Sequence, residues 1–399
     1  MFGAGPAGLF AADVLSGAGA RVEIFDHMPS PARKFLMAGR GGLNLTHGEP
    51  LEVFMTRYGA AAAQLEPFLS AFPPQKLREF CAALGEETFV GSSGRVFPKS
   101  FKASPLLRAL LAKLSARGVV FHMRHRFIGF GEGLELLLQD AAGAALEIAP
   151  DAAVFALGGA SWPRLGTDGG WTRAFAEAGV RLAPLAPANC APHLCWSAHF
   201  LGGFEGQPIK TLRLSHGGQS ARGDVVVTRR GLEGGPAYAL ASALRESLAR
   251  DGAALLRVDL RPDRRVEDLA ARLARPREKA SLATHLRKTL GLAKVDVALL
   301  REAFPEGLPQ EAEALATRIK DAPLAITEVA GFERAISTSG GVSFDALDAE
   351  LMLKTRPGIF VAGEMLDFDA PTGGYLLQAA FSTGVAAGKG AACFLGLET

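Results

Sequence analysis

The feature that most constrains this chain is a glycine-rich turn near its N-terminus. The turn fits the pattern G-x-G-x-x-G and comprises Gly3, Ala4, Gly5, Pro6, Ala7 and Gly8. An apolar run with helical spacing follows it, and a second strand then ends on Asp26. In such a unit the first glycine permits a tight turn, the second lets a pyrophosphate approach the backbone, and the third lets helix and strand pack closely. The order of these parts predicts a Rossmann-type dinucleotide-binding unit.

The same unit indicates how each end of a dinucleotide is held. The helix N-terminus supplies unpaired N–H groups and a partial positive charge to the phosphates. Asp26 lies where an acid accepts hydrogen bonds from the adenosine ribose hydroxyls. Only Met1 and Phe2 precede Gly3, whereas strands usually have about five or six residues. We therefore expect either a start further upstream or a shortened central strand, with weaker cofactor retention in the second case.

A second pattern lies near the C-terminus and is typical of FAD-binding folds. A buried strand ends on Gly363 and Glu364, and Gly373, Gly374 and Tyr375 open an apolar helix. The turn that carries Gly363 is expected to approach the ribityl and pyrophosphate part of FAD. The N-terminus of the following helix is expected at the flavin C2=O and N1, where negative charge gathers on reduction. Tyr375 is expected to help shape that edge.

A long loop after the second strand carries a third pattern. Glycines at 39, 41 and 42 would let the backbone press against a flat ring, and Arg40 would face phosphate. Asn44 is expected to hydrogen-bond the flavin edge. Gly158 ends another apolar strand and predicts a further close approach of the backbone to the cofactor. A surface loop that binds nothing is the alternative for residues 39–44.

Composition limits the class of function. A chain of 399 residues indicates two or three domains. The net charge of +2 is too small to indicate nucleic acid, and acids interleave with the arginines between 257 and 277, which favours a solvated helical face. No apolar stretch reaches 18 residues and the fingerprint occupies the position of a signal peptide, so we expect a cytoplasmic enzyme without a membrane span.

Other chemistries have weaker support in the sequence. The four cysteines form no C-x-x-C pair, which argues against a redox disulfide, and Cys190, His193 and Cys195 lack a nearby fourth metal ligand. No nucleophile elbow indicates a hydrolase. No second G-x-G-x-x-G precedes a helix, so a separate NAD(P)H domain is not expected, although NAD(P)H could dock directly beside the flavin.

The pattern of residue types along the sequence changes near residue 185 and again near residue 323. We predict an α/β fold with a discontinuous, glutathione-reductase-type FAD-binding domain over residues 1–185 and 323–399. A β-rich, barrel-like insertion is predicted over 186–262 and a helical subdomain over 263–322. The substrate is expected between the FAD domain and the insertion, since ligand sites favour domain interfaces.

These blocks together resemble a family of bacterial FAD flavoproteins that includes aminoacetone-oxidase-like and BaiN-like (YhiN-like) proteins. The resemblance rests on the N-terminal fingerprint, on Arg33 and Lys34 with the loop from 39 to 46, on residues 94–98, on Gly340-Gly341-Val342, and on the block from 362 to 378 that contains Gln378. It implies an FAD domain interrupted by a barrel-like domain and a helical subdomain. It also implies that Asp26 contacts ribose, that Lys34 and Asn44 lie on the cofactor, and that Phe127 clamps adenine through its backbone.

The chain departs from the family pattern at the expected substrate side. Gly42 and Leu43 replace a common Arg-Cys pair, and residues 229–235 replace a His-x-Gly-type stretch. The predicted cofactor-binding residues are Gly3, Gly5, Pro6, Ala7, Gly8, Asp26, Arg33, Lys34, Gly39, Arg40, Gly41, Gly42, Asn44, Phe127, Gly158, Gly363, Glu364, Gly373, Gly374, Tyr375 and Gln378. No general base stands out, and Tyr375 is the one candidate catalytic side chain.

The sequence thus predicts an FAD-dependent oxidoreductase that passes a hydride between a small organic substrate or NAD(P)H and flavin N5. Two subclasses stay open: an amine oxidase, and an NAD(P)H-dependent reductase of an unsaturated or quinone-like acceptor. A flavin-containing protein that modifies or binds RNA, and a non-catalytic FAD-binding protein, are the alternatives from other classes. No nucleic-acid partner is expected, because basic and aromatic residues do not interleave.

Overall fold

The structure, a computed structural model, describes residues 1–38 and 41–398. The chain forms two compact units. Unit 1 comprises Met1–Pro187 and Ile336–Thr399, and unit 2 comprises Ala188–Ala335. The polypeptide therefore leaves unit 1, builds unit 2 and returns. In the part of the chain that is described, no helix is both long enough and apolar enough to cross a membrane.

Both units contain helices and strands. The first segment of unit 1 contains α1 (Pro6–Gly17), β1 (Glu23–Asp26), α2 (Arg33–Ala38), β2 (Thr46–His47), α3 (Leu51–Met55), α4 (Ala62–Ala71), α5 (Pro74–Ala83), β3 (Thr88–Val90), β4 (Arg95–Pro98), α6 (Ala103–Ala116), β5 (Val120–Met123), β6 (Arg126–Phe130), β7 (Leu136–Gln139), β8 (Ala145–Ile148), β9 (Ala153–Phe155), α7 (Thr172–Glu177) and β10 (Leu182–Ala188). Unit 2 contains β11 (Pro192–His193), α8 (Ala198–Phe204), β12 (Pro208–His216), β13 (Gln219–Thr228), β14 (Gly231–Glu233), α9 (Gly235–Ala239), α10 (Ala241–Asp251), β15 (Ala254–Asp259), α11 (Val266–Leu273), α12 (Leu282–Leu290), α13 (Lys294–Ala303), α14 (Ala312–Lys320), β16 (Ala322–Ile326) and β17 (Glu328–Val329). The second segment of unit 1 contains β18 (Ser337–Val342), β19 (Ile359–Val361) and α15 (Tyr375–Phe394). Short 3₁₀ helices cover Thr56–Ala61, Pro163–Leu165, Phe344–Ala346 and Gly363–Met365.

The core sheet of unit 1 is parallel and is built around the first residues of the chain. β1 pairs with β5, and β9 pairs with β19. Phe2 lies between these pairs and bridges Phe25 on one side and Phe155 on the other. The Phe2 ring is fully buried and stacks on both neighbours, at 5.6 Å from Phe25 and 4.6 Å from Phe155 between ring centroids. A very short stretch thus serves as the central strand, held by aromatic packing as well as by hydrogen bonds.

Helices α1 and α15 pack against each other through small residues. A Cβ on Gly384 would lie 2.4 Å from the carbonyl oxygen of Ala7, and one on Gly388 would lie 2.9 Å from that of Ala11. The two contacts advance in the same direction along both helices, so the helices run parallel. The first residue of α15 lies nine residues before Gly384, which places it roughly 14 Å along the axis beyond the level of Ala7.

Unit 1 also contains two small antiparallel sheets and a two-stranded sheet of β10 and β18. β6, β7 and β8 form one, and β2, β4 and β3 form the other. The sequence pattern predicts that the strand at residues 119–123 belongs to an antiparallel sheet. In the structure this strand is β5, and it pairs in parallel with β1 from Glu23 to Asp26. The reason is topological: β5 follows α6, and a strand–helix–strand crossover brings it back beside β1.

Unit 2 is organised around a seven-stranded sheet with the order β16-β15-β12-β13-β14-β11-β17. Thr327 alone separates its two edge strands, β16 and β17, in the chain, so the two edges of the sheet lie close together, as in the barrel-like insertion predicted. Helices α11 to α14 lie in the chain between β15 and β16. The sequence pattern assigns residues 323–335 to the FAD domain, yet β16 pairs with β15 from Ala322 to Ile326 and belongs to unit 2. The three-domain division itself stays a prediction.

Candidate functional site

The glycine turn at the start of α1 is shaped by two close backbone approaches and one open position. Gly3 has φ +97°, and a Cβ there would lie 2.2 Å from the carbonyl oxygen of Ala156. A Cβ on Gly8 would lie 2.0 Å from the carbonyl oxygen of Gly3. Gly5 differs, because no described protein atom lies within 4 Å of the position that a Cβ would take there. Packing therefore requires the first and third glycines, whereas the second leaves space in front of the helix.

The N-terminus of α1 is free to meet an anion. Its N-cap is Gly5, no side chain caps it, and no acid lies in its first turn. Asp26 lies beside the turn, and its two oxygens accept hydrogen bonds from the N–H groups of Ala4 and Met28, each at 2.8 Å. These bonds fix the carboxylate orientation and leave further lone pairs for the hydroxyls of a ribose. Pro6 and Ala7 begin the helix.

The predicted loop is described in part. Gly39 and Arg40 lie outside the described residues. Gly41 is exposed, with no described atom within 4 Å of the position that a Cβ would take, and Gly42 has φ +109°. The loop then joins the β2-β4-β3 sheet, where the N–H of Leu45 donates to the carbonyl of Val96 at 2.9 Å. This sheet fixes the positions of Asn44 and Thr46.

Lys34 and Glu364, both predicted to contact the cofactor, form an ion pair with each other. Lys34 Nζ lies 2.6 Å from Glu364 Oε2 and also donates to Ser161 Oγ. The other Glu364 oxygen accepts the N–H of Thr338 at 3.0 Å. Thr338 Oγ1 in turn accepts the N–H groups of Ala160 and Ser161. The pair connects α2, the turn after β9, β18 and the turn after β19.

The turns that bring these segments together contain the other predicted glycines. Gly158 has φ +74° and Gly363 has φ +75°. A Cβ on Gly363 would lie 2.8 Å from the Cβ of Ala7. The turn after β19 therefore lies directly against the first turn of α1.

The N-terminus of α15 is a second uncapped helix start on the same side as that of α1. Its N-cap, Gly374, has φ +99° and no side-chain cap. A Cβ on Gly374 would lie 2.5 Å from the Cα of Thr46, so β2 passes directly over the helix start. Two parallel helices without side-chain caps thus begin about 12 Å apart along their axes, a span that suits an extended dinucleotide rather than a single phosphate.

Tyr375, the first residue of α15, is held by groups from residues 47–58. Its OH donates to Glu49 Oε1 at 2.7 Å, and Arg57 forms two hydrogen bonds to the same carboxylate, at 3.0 and 2.7 Å. Tyr58 OH donates to the carbonyl oxygen of Tyr375 at 2.8 Å, and the His47 ring stacks at 5.5 Å between centroids. We refer to Glu49, Arg57, Tyr58 and Tyr375 as the tyrosine clamp.

The charges of the tyrosine clamp are fixed by these contacts. The Arg57 guanidinium lowers the pKa of Glu49 below its ordinary value. Burial, followed by the hydrogen bond to the Glu49 carboxylate, raises the pKa of the Tyr375 phenol. Tyr375 is therefore a neutral hydrogen-bond donor at neutral pH, and its side chain positions the helix start.

Four polar side-chain atoms in unit 1 are buried without a hydrogen-bond partner among the described residues. They are Arg33 Nε, Asn44 Oδ1, Thr46 Oγ1 and Gln378 Oε1. Buried polar atoms are nearly always hydrogen-bonded, because leaving one unsatisfied costs about 1–3 kcal/mol. Three of the four belong to residues that the sequence predicts to bind the cofactor. With the open space at Gly5 and the two free helix starts, these residues fit FAD, whose phosphates, ribityl hydroxyls and flavin edge would satisfy them.

The remaining predicted residues lie in the surrounding core. The Phe127 side chain is buried against Phe2 and Phe155, which leaves its backbone in β6 as the part able to contact a ligand. Gln378 Nε2 donates to the carbonyl of Phe72 at 2.9 Å. Among the residues that the structure describes, no group of three or more His, Cys, Asp and Glu side chains is placed to hold a metal ion.

Sequence reasoning missed several residues of this region. They are Thr46, Glu49, Arg57, Tyr58, Ser161 as a hydrogen-bond partner, and Thr338. Their partners are distant in the chain, as with Tyr58 and Tyr375, which are 317 residues apart. Of these residues, Thr46 could have been identified from the sequence, because it lies at the end of the loop that carries the family resemblance.

The fold and the site together define an FAD-dependent oxidoreductase with a Rossmann-type nucleotide-binding unit. The chain belongs to the family described as the HI0933-like protein Rossmann domain, whose model matches residues 1–390. This match confirms the predicted α/β fold class and the family resemblance, and it supports FAD as the cofactor.

Two characterised relatives span almost the whole chain. The 3-dehydro-bile acid delta(4,6)-reductase of Clostridium scindens is 25% identical and the alignment covers 98% of each chain. The ribosomal RNA dihydrouridine synthase of Escherichia coli is 24% identical over 96% of this chain and 95% of that protein.

Solved structures share the fold at low sequence identity. A 3-ketosteroid delta1-dehydrogenase from Sterolibacterium denitrificans aligns with a TM-score of 0.54 and 15% identity over 98% of each chain. A 3-ketosteroid-delta4-(5alpha)-dehydrogenase from Rhodococcus jostii RHA1 aligns with a TM-score of 0.53 and 17% identity, over 98% of this chain and 95% of that one. A flavocytochrome c3 fumarate reductase aligns with a TM-score of 0.53 and 16% identity, over 98% of this chain and 77% of that one. These similarities concern the fold alone.

The ion pair of Lys34 and Glu364 leads to a stability prediction. Lys34→Met leaves the Glu364 carboxylate, whose side chain is 19% exposed, without its cation. We expect a loss of about 2 kcal/mol in the free energy of unfolding of the apoprotein, less than for a fully buried pair because some water reaches it. Urea unfolding measures it, and the double variant Lys34→Met/Glu364→Gln should recover part of the loss.

A matched control is the exposed pair of Lys99 and Glu87, in which both side chains are 67% exposed. Lys99→Met should change the free energy of unfolding much less than Lys34→Met does, because water screens both charges. Equal losses in the two lysine variants would contradict a structural role for the Lys34 pair.

The tyrosine clamp leads to a pH prediction. Because the folded pKa of Glu49 is lowered, the pair with Arg57 contributes stability above the ordinary value of 4.5 and loses it as the pH falls through the folded pKa. Arg57→Met should cost about 1 kcal/mol at pH 7 and less at pH 4. Chemical denaturation of both proteins at the two pH values measures this. If Arg57→Met lowered the free energy of unfolding equally at both pH values, Arg57 would not act through the Glu49 charge. The control variant Arg57→Lys should retain part of the stabilisation.

Proposed function

We propose that this chain is a reductase that uses FAD to move a hydride from NAD(P)H to a carbon–carbon double bond conjugated with a carbonyl group. The observation that carries the FAD part is the set of unsatisfied buried atoms in unit 1, together with the two helix starts there that lack side-chain caps. When bound, FAD would supply a carrier that accepts a hydride at N5 and passes it on. The net reaction adds that hydride and one proton across the double bond and leaves NAD(P)⁺.

The residues of unit 1 have separate roles in this proposal. The N–H groups at Gly5 and in the first turn of α1 hold the pyrophosphate, and Asp26 holds the adenosine ribose. Arg33 adds positive charge beside the phosphates, while the ion pair of Lys34 and Glu364 fixes the surrounding turns. Asn44 and Thr46 hydrogen-bond the polar edge of the flavin. The N-terminus of α15, positioned by the tyrosine clamp, stabilises negative charge at that edge.

The substrate class is inferred from the activities that name the two relatives. A delta(4,6)-reductase of 3-dehydro-bile acids and a dihydrouridine synthase both saturate a ring double bond that is conjugated with a carbonyl. In such a bond the carbonyl draws electron density from the β-carbon, which becomes the position that accepts a hydride. The double bond conjugated with a carbonyl is the feature that these two otherwise different substrates share.

Anaerobic stopped-flow mixing of the FAD-loaded protein tests this proposal. We expect NADH or NADPH to bleach the visible flavin absorbance, and a 4-en-3-one steroid to restore it while the saturated ketone does not. Bleaching by a primary amine without NAD(P)H would instead favour the amine oxidase. Absence of bleaching by all three reductants would favour a non-catalytic FAD-binding protein and contradict the proposal.

A second candidate is the same reduction carried out on a uracil base in RNA. It is favoured by the ribosomal RNA dihydrouridine synthase, which matches this chain over 96% of its length. RNA oligonucleotides that contain uridine, tested as acceptors in the same assay with mass spectrometry of the product, separate the two candidates through a gain of two hydrogen atoms. The location of the substrate and a cytoplasmic location of the protein stay predictions.

A further inference from the structure

One segment of unit 2 carries an unusual excess of positive charge. Residues 272–294, which we call the basic segment, contain seven Lys and Arg residues and a single acid, Glu278. The rest of the chain has 36 Lys and Arg against 40 Asp and Glu. The basic segment therefore reverses the sign of the net charge of the whole protein. Its cations are Arg272, Arg275, Arg277, Lys279, Arg287, Lys288 and Lys294.

The structure separates these cations from the arginines that precede them. Arg257, Arg261 and Arg265 each form an ion pair, with Asp321, Asp296 and Asp268 respectively. Within the described parts of the chain, none of the seven side chains of the basic segment has an ion-pair or hydrogen-bond partner. Six of them are exposed, and Arg272 is half-buried. Among the described residues, acids thus neutralise three of the four arginines between 257 and 265, all but Arg264, and none of the seven cations of the basic segment.

The basic segment is presented by folded structure rather than by a free loop. Arg272 lies in the last turn of α11, while Arg287 and Lys288 lie in the last turn of α12. The segment that connects α11 and α12 is held in place by a hydrogen bond across its ends, because His285 Nε2 lies 3.2 Å from the carbonyl oxygen of Leu273. Ser281 caps the start of α12 by accepting the N–H of Thr284. The charges consequently stand on two packed helices and the turn between them.

Nearby acids do not cancel this charge. On α11, Glu267 and Asp268 lie in the first turn, and Asp268 already pairs with Arg265. On α14, which packs against α11, Glu311 accepts two backbone N–H groups at the start of its own helix. Seven like charges over 23 residues repel one another. A bound polyanion would neutralise them and relieve this repulsion.

We propose that the basic segment binds the phosphate backbone of RNA. This inference rests on the second candidate function, in which the substrate base belongs to an RNA. The segment contains no Phe, Tyr or Trp, so it lacks the aromatic platforms that stack single-stranded bases. Lys and Arg without aromatic partners contact phosphates and carry no sequence information. The basic segment therefore anchors structured RNA without selecting its sequence.

Salt-dependent binding of a fluorescently labelled RNA hairpin to the FAD-loaded full chain tests this inference. The test variant Arg275→Gln/Arg277→Gln/Arg287→Gln/Lys288→Gln removes four charges from the basic segment. The control variant Lys102→Gln/Arg108→Gln/Lys210→Gln/Lys389→Gln removes four exposed charges from elsewhere. The wild type should bind with a micromolar dissociation constant, and the test variant should bind at least about tenfold more weakly. Its slope of log K against log salt should fall by about 3, whereas the control should keep most of the slope.

The outcomes separate this inference from the proposed function. No measurable RNA binding by the wild type, or equal losses in the test and control variants, would overturn it. Tighter binding to vesicles rich in anionic lipid than to RNA, lost in the same test variant, would assign the surface to a membrane instead. The binding assay involves no turnover, and reduction of a small enone should be unchanged in the test variant. Failure of the reductase assay therefore leaves the binding result standing, and the reverse also holds.

Discussion

Replacing Gly5 by valine is expected to remove FAD binding while leaving the apoprotein folded. Gly5 has φ −86°, which valine adopts, and no described protein atom lies within 4 Å of a Cβ at this position. The added side chain would instead occupy the space in front of α1, where the proposal places the pyrophosphate. Because the phosphates and the helix N-terminus must be in direct contact, we expect FAD affinity to fall at least about a hundredfold, or roughly 2.7 kcal/mol.

Two measurements on the same preparation check this prediction. Thermal unfolding of the apoprotein should be nearly unchanged, and titration with FAD should show the loss of affinity. Gly202→Val is the matched control, since Gly202 lies in a helix of unit 2, is exposed and has no atom within 4 Å of a Cβ. If Gly5→Val bound FAD as tightly as the control variant, the pyrophosphate would not lie at this helix start.

Gly374→Ala is expected to destabilise the apoprotein strongly. Gly374 has φ +99°, a conformation that costs an alanine about 1–2 kcal/mol. The new Cβ would also lie 2.5 Å from the Cα of Thr46, and backbone atoms cannot move aside as a flexible side chain can. The sum is expected to exceed about 4 kcal/mol, a large fraction of the stability of an ordinary protein.

Gly396→Ala provides the control because it separates the two contributions. Gly396 also has a positive φ, +71°, but no described atom lies within 4 Å of its Cβ position. This variant should lose only the conformational part, about 1 kcal/mol. Chemical denaturation of both apoproteins, or the soluble yield where Gly374→Ala does not fold, measures the difference. Equal losses would mean that the contact between α15 and β2 is not tight.

The N-terminal turn, the closing helix and FAD could be predicted from the sequence because each is a local pattern. Gly3, Gly5 and Gly8 are required by a turn of six residues, and the order strand–turn–helix is written in the chain itself. The same holds for Gly373 and Gly374 at the start of α15. In these places the backbone conformation selects the residue type, so the residue type indicates the conformation.

The hydrogen-bond partners of the site could not be predicted in this way. Lys34 and Glu364 are both identifiable from the sequence as cofactor residues, but their ion pair joins positions 330 residues apart. The tyrosine clamp joins Glu49 and Arg57 to Tyr375 across a similar distance. No periodicity in a sequence records which charged group will meet which, because that depends on how the helices and sheets pack.

The sequence by itself determined the nucleotide-binding class of this protein, the cofactor and the glycines that a cofactor of this shape requires. Tertiary structure alone decided that α1 and α15 run parallel with both starts uncapped by side chains, and that β5 pairs with β1 and β16 with β15. It also decided, among the described residues, that the cations at 272–294 lack ion-pair partners while Arg257, Arg261 and Arg265 have them. The physical reason is the range of the interactions. Backbone conformation is set by neighbours in the chain, whereas helix packing, strand pairing and charge neutralisation are set by neighbours in space.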